Sequence, residues 1–221
     1  MAVVLITGQK NEFDKRLAAV FSRAGHRVYI IGSEQIAGVT LLPLDLNEAV
    51  AALKKESILI DIYVDVSDER CSSDNFDIRS GINDETIRKL YDANVIQPMS
   101  MFETFLPLMK EDGQKRLCFL HSAQASINEA SGSSAYGYAM AKAGLSNFLQ
   151  ITRNVLAPKG FTMRVFDPCL TGDFPEMNPE KAAQAALNYF IRKRGIERGN
   201  EQRDDEGTLV FRDAYGRQHC W

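Results

Sequence analysis

The chain has 221 residues, of which 45% are apolar and 25% charged, with a net charge of −3 at neutral pH. That length suits one large domain able to bury roughly 70% of its unfolded surface, and the weakly acidic balance offers no basic footprint for nucleic acid. No apolar run approaches the ~18 residues of a bilayer-spanning helix, and Met1-Ala-Val-Val-Leu-Ile-Thr7 has neither the basic start nor the cleavage site of an export signal, so a cytoplasmic protein is expected.

In chain order, the first predicted strand is Val3–Thr7, followed by a helix near Phe13–Ala24. Strands at Arg27–Ile31 and Val39–Leu44 come next, then a helix at Asn47–Glu56 and a nearly all-apolar strand at Ile58–Val66. A polar stretch, Ser67–Asn83, leads into one long predicted helix, Asp84–Met109. The fifth strand, Arg116–His121, precedes a helix at Ala135–Leu156. Strand Thr162–Phe166, helix Pro179–Arg194, a charged stretch Ile196–Gly207 and strand Thr208–Phe211 complete the series. Short apolar runs alternating with amphipathic segments indicate βα units. The expected fold is α/β: a Rossmann-like, doubly wound, mainly parallel seven-stranded sheet with helices on both faces, as one domain over residues 1–221. Both polar stretches read as solvated loops, although Ser67–Asn83 follows the end of a strand where such sheets place ligands. The four cysteines and three histidines are scattered without metal-ligand spacing, so no metal site is expected.

The densest chemistry lies in Ser134-Ala-Tyr-Gly-Tyr138-Ala-Met-Ala-Lys142. Tyr138 and Lys142 are four apart and share a helix face. A phenol titrates near pH ~10, and an ammonium beside it is expected to lower that value toward the working range. Such a pair is common on helices. Here, however, a strand ending Leu117-Cys-Phe-Leu-His-Ser122 precedes it, and Tyr91-Asp-Ala-Asn94 lies in the long helix before that. The ordered set Asn94, Ser122, Tyr138 and Lys142 resembles the catalytic tetrad of the short-chain dehydrogenase/reductase family, and the likeness in strand–helix order and motif spacing spans nearly the whole chain.

The resemblance implies hydride transfer between a nicotinamide cofactor, NADP or NAD, and a small-molecule carbonyl or alcohol substrate. It makes Tyr138 the proton donor or acceptor, with Ser122 hydrogen-bonding the substrate oxygen. Lys142 would lower the pKa of Tyr138 and hold the nicotinamide ribose, and Asn94 would anchor a proton-relaying water. Asp45, at the end of the third strand, matches the family's aspartate near the adenine ring. Relatives also pair the two long helices around two-fold axes, so a homodimer or homotetramer is expected.

Departures from the family pattern are concentrated around the cofactor. The turn T-G-x-x-x-G-x-G is here Thr7-Gly8-Gln9-Lys10-Asn11-Glu12-Phe13-Asp14, so Gly8 is kept while Glu12 and Asp14 replace two glycines. Carboxylates there put bulk and like charge where a pyrophosphate would approach, which is expected to impair dinucleotide binding, while Lys10 offers a compensating charge. They also suit a helix start on their own account. Ser33, at the ribose position after the second strand, is neither acid nor base and leaves NAD against NADP open. Asp65-Val-Ser-Asp68 stands for N-N-A-G, and Pro168-Cys169 for Pro-Gly, with Thr171 in reach of a nicotinamide amide and Asp173 following. There is little room after Thr171 for a substrate lid. The aromatic ending at Trp221 is expected to pack on a neighbour or across an interface. Two alternatives stay open: a non-catalytic binding or assembly protein on this fold, and a cofactor-free enzyme with a rebuilt nucleotide pocket.

Overall fold

A computed structural model describes residues 1–8, 11–171, 177–192 and 207–221. The chain runs β1 (Val3–Thr7), α1 (Glu12–Arg23), β2 (Arg27–Ile31), β3 (Val39–Leu42), α2 (Leu46–Lys55) and β4 (Ile62–Asp65). It continues through α3 (Asp84–Tyr91), α4 (Gln97–Phe105), β5 (Lys115–Leu120), α5 (Tyr136–Leu156), β6 (Phe161–Asp167), α6 (Pro179–Ile191), β7 (Phe211–Asp213) and β8 (Gln218–His219). These strands form one sheet of order β3-β2-β1-β4-β5-β6-β7-β8, parallel through β7 and antiparallel only at β8. The Rossmann-like architecture is as expected, with one strand more than the seven foreseen. β8 is two residues at the tip of a hairpin, too short to carry a periodic signal.

Alternation along each strand divides the core in two. Leu5, Tyr29, Tyr63 and Phe119 face α2, α4 and α5, where Leu53, Phe102, Phe105, Leu145 and Leu149 fill the other side. Val4, Ile6, Ile30, Val64 and Leu120 face α1 and α6, packing on Phe13, Leu17, Phe21 and Phe190. Small residues Ala182, Ala183 and Ala186 on α6 are fully buried in that layer. Arg116, buried in β5, donates to the carbonyls of Phe190 (2.8 Å) and Arg192 (2.6 Å), meeting the negative end of α6 with a cation.

Beyond shifts of a few residues at element ends, three differences from expectation have a physical cause. Of the predicted strand Ile58–Val66 only Ile62–Asp65 is in the ladder; Ile60 makes an isolated bridge to Met109. The seventh strand begins at Phe211 rather than Thr208, where the chain comes into register with Val165. The long predicted helix is divided: α3 passes into a π turn, Asp92–Ile96, before α4. Pro98 has no N–H for the carbonyl of Asn94, four residues back, and its ring crowds that carbonyl, so the backbone widens there. Of the charged stretch Ile196–Gly207, only Gly207 is among the described residues.

The sheet order reverses between β1 and β4, and the C-terminal ends of these strands flank the site.

Candidate active site

Tyr138 and Lys142 lie on the sheet-facing side of α5, 1% and 0% exposed. The helix start that positions them has no cap of its own, since Ala135 is left-handed at φ +61° and its side chain caps nothing. Asp74, from the 67–83 segment, supplies the cap. Its two carboxylate oxygens accept from the N–H groups of Gly137 (2.8 Å) and Tyr138 (2.9 Å). A side-chain carbon at Gly137 would sit 3.0 Å from that carboxylate and 3.1 Å from the Ile87 backbone, so any larger residue would press both back by a few tenths of an ångström. Ser67 and Asp74 are buried, and this segment is therefore a structural part of the site rather than the solvated loop expected from its polarity. Residues such as Cys71, Asp77 and Arg79 within it are exposed.

Ser122 follows β5; its hydroxyl accepts from Gln124 N (3.3 Å) and lies close enough to Tyr138 to act on the phenol. Asn94 sits in the π turn, buried, and clamps the backbone of Glu69 from both sides: its Oδ1 accepts from Glu69 N (3.0 Å) and its Nδ2 donates to Glu69 O (2.9 Å). That amide also donates to Leu90 O (2.9 Å). The four residues of the expected tetrad thus converge, with the Asn94 side chain engaged by backbone.

Two residues that sequence reasoning did not place in the site lie on either side of Glu69. The Tyr138 hydroxyl donates to Asp68 Oδ1 (2.5 Å) and accepts from an Arg70 guanidinium nitrogen (2.7 Å). The Arg70 guanidinium also lies 3.9 Å from the Tyr138 ring centre and donates to Gln124 Oε1 (3.0 Å). Lys142 donates to Ser67 O (2.7 Å), more weakly to Leu120 O (3.4 Å), and is paired with Asp68 Oδ1 at 3.2 Å.

These contacts reverse the expected electrostatics of the tyrosine. Burial, and then the charge of Asp68, hold the Tyr138 phenol well above its ordinary range, so it stays protonated. The expected lowering by Lys142 is not found, because the ammonium is engaged with Asp68 and lies 5.8 Å from the ring centre. Burial works against the charge of Asp68, but Lys142 and Arg70 outweigh it and hold the carboxyl below the usual range. His121, next to Ser122, is pushed down to about 3 by burial and by the Lys142 charge. Its neutral ring accepts from Ser122 N at Nδ1 (2.9 Å) and meets the Ser146 hydroxyl at Nε2 (2.9 Å).

A cleft of about 380 Å³ opens beside this cluster, lined by Glu12, Asp68, Arg70, Asp167 and Thr171 among others. Gly8, at φ +89°, brings its backbone against Ser67, where an added side-chain carbon would be 3.3 Å from the Ser67 hydroxyl. Cys169 takes a left-handed conformation (φ +54°) in place of the family's glycine, its N–H held by Asp167 Oδ1 at 2.7 Å. Thr171 is exposed on the cleft wall. Ser33 is also exposed, and Asp45 uses its carboxylate to cap α2 through Glu48 N (2.9 Å). Lys10 and Asp173 lie outside the described residues.

Glu12 turns outward to Arg16 (2.7 Å), while Asp14 is fully buried and forms a reciprocal capping box with Asn11. The α1 start is thus closed by its own side chains. With Asp68 seated, the three donors of Lys142 face protein oxygens, and the Tyr138 hydroxyl donates to Asp68 and accepts from Arg70. In this arrangement the site residues do not fit a dinucleotide. Among the described residues no group of His, Cys, Asp and Glu gathers as a metal would require, and no helix is long and apolar enough to cross a membrane.

No protein-family model matches the chain, and no curated protein matches it by sequence. Solved structures do. The chain is similar to the carbonyl reductase Sniffer of D. melanogaster, with a TM-score of 0.80 at 13% identity over 100% of both chains. It is similar to a carbonyl reductase from Pseudomonas aeruginosa PAO1 in complex with NADP, at a TM-score of 0.76 and 18% identity, again over 100% of both. A short chain dehydrogenase family protein from Francisella tularensis subsp. tularensis SCHU S4 matches with a TM-score of 0.67 at 16% identity, over 86% of this chain and 91% of that one. The architecture of this chain is the short-chain dehydrogenase/reductase fold.

Proposed function

We propose that the chain is an oxidoreductase of the carbonyl–alcohol type, with NADP or NAD as its partner and impaired dinucleotide binding. The observation that carries this reading is the convergence of Ser122, Tyr138, Lys142 and Asn94 at the C-terminal edge of a parallel sheet. The structural similarity to carbonyl reductases, one of them in complex with NADP, supports it.

The acid–base half of the reaction follows from the side chains. A phenol kept protonated is a proton donor, suited to a carbonyl oxygen that gains negative charge as it is reduced. Ser122, beside that phenol, would share the oxygen. Tyr138→Phe removes the proton and keeps the ring. Turnover of NADPH or NADH with a panel of aldehydes and ketones is expected to fall by ~10²–10⁴-fold while circular dichroism is unchanged. Near-normal turnover in this variant would make Tyr138 structural and end the proposal.

A second reading, a binding protein or a cofactor-free enzyme on the same fold, is favoured by one observation: Asp68 holds both Tyr138 and Lys142. It predicts no rise in melting temperature with either dinucleotide at millimolar concentration, where a binder would show one. We also propose a cytoplasmic homodimer or homotetramer assembled through the helices on the α5 side.

A further inference from the structure

We propose that the 67–70 segment is a built-in stopper: the Asp68 carboxylate takes the hydrogen-bonding positions on Tyr138 and Lys142 that a ligand oxygen needs, and the site admits its dinucleotide only when Asp68 is withdrawn. This rests on the oxidoreductase reading and names an obstacle to binding separate from the closed start of α1.

The argument is a count of donors and acceptors. A tyrosine hydroxyl donates once, and here it donates to Asp68 at 2.5 Å while accepting from Arg70 at 2.7 Å. An ammonium donates three times, and Lys142 faces Ser67 O, Leu120 O and Asp68. Two of those three are backbone carbonyls fixed by the sheet edge and its first turn. Asp68 is the exchangeable one, because it is a side chain at the cleft wall that rotation about its own bonds removes.

The backbone around it is held in place. Asn94 grips Glu69 on both its N–H and its carbonyl, and Ser67 N is fixed by Asp65 Oδ1 at 3.0 Å. Arg70, with 31% of its side chain exposed, closes the cluster from outside, lying on the Tyr138 ring and reaching Gln124. A rigid backbone with one carboxylate inside and one guanidinium over it is a plug with a cover.

Charge-assisted hydrogen bonds of this kind oppose a competing ligand by roughly ten- to a hundredfold in affinity. Asp68→Ala removes the plug without adding bulk, and Asp68→Asn removes its charge while keeping its shape, should the alanine variant fail to fold. Each is titrated with NADPH and NADH by calorimetry beside the wild type, with circular dichroism to verify the fold. In parallel, the tyrosines are titrated by ultraviolet absorbance, with Tyr138→Phe identifying the Tyr138 signal.

The expected result is dinucleotide binding about ten- to a hundredfold tighter than wild type, with the Tyr138 signal moving to lower pH once the carboxylate charge is gone. A Tyr138 signal that does not move would overturn the stopper. Equal, measurable affinity in wild type and variant would also overturn it, while leaving the oxidoreductase reading standing. No binding of either dinucleotide by any of the proteins would overturn both.

Discussion

Asn11 and Asp14 exchange hydrogen bonds with each other's backbone N–H and so close the start of α1. Other residues act in ways no local pattern shows. Asp68 stood out only as a departure from the family's N-N-A-G, and its destination, a phenol 70 positions away, depends on tertiary placement. His121 is similar, an unremarkable histidine at the end of a predicted strand that becomes a neutral, fully engaged ring. Its pH consequence has a definite sign. The folded pKa, about 3, lies below the ordinary 6.5, so between these values the unfolded chain binds a proton that the folded chain does not. Stability present above pH 6.5 is therefore lost as the pH falls toward 3. Between pH 7 and pH 4 the loss from this group is on the order of 3 kcal/mol. Urea unfolding at the two values should show a smaller drop for His121→Gln than for the wild type, and equal drops would refute the assignment.

At the scale of elements, the parallel strands were legible because both faces are covered and their runs are almost wholly apolar. The six α-helices among the described residues were legible from their apolar faces, with α3 and α4 read as one. What periodicity does not register is a π turn, which leaves the apolar stripe nearly intact while moving Asn94 onto Glu69. It also does not register a helix capped from 63 positions upstream, as Asp74 caps Gly137. That cap gives a testable difference between a structural loop and a solvated one. Asp74→Ala leaves two buried N–H groups of α5 without their acceptor and should lower stability by about 2 kcal/mol, or roughly 4–8 °C in melting temperature for a chain of this size. A change under ~0.5 kcal/mol, the range of ordinary surface substitutions, would return the 67–83 segment to the status of a loop.

For the whole molecule, the outward side of α5 carries Met140, Ile151 and Val155, each about half exposed, and Ile96 and Tyr91 are exposed before α4. Apolar side chains repeating along one long helix, on the face away from the core, are what a two-fold helix pairing would cover. Sedimentation is expected to show a species of twice or four times the 24.7 kDa chain. Ile151→Glu should shift it toward the monomer with circular dichroism unchanged, and a monomeric wild type at micromolar concentration would remove the proposal. The last residues show a different kind of organisation. Trp221 packs on Phe211, 5.8 Å between ring centres, and edge-on to His121 at 6.0 Å, within its own chain. It is the only tryptophan among the 221 residues. Emission excited at the red edge of the absorption band therefore comes from one indole, seated against the imidazole that adjoins Ser122. Quenching, lifetime and anisotropy of that single emitter follow the seating of Trp221 beside His121 and Ser122, with no label attached and no second signal to subtract.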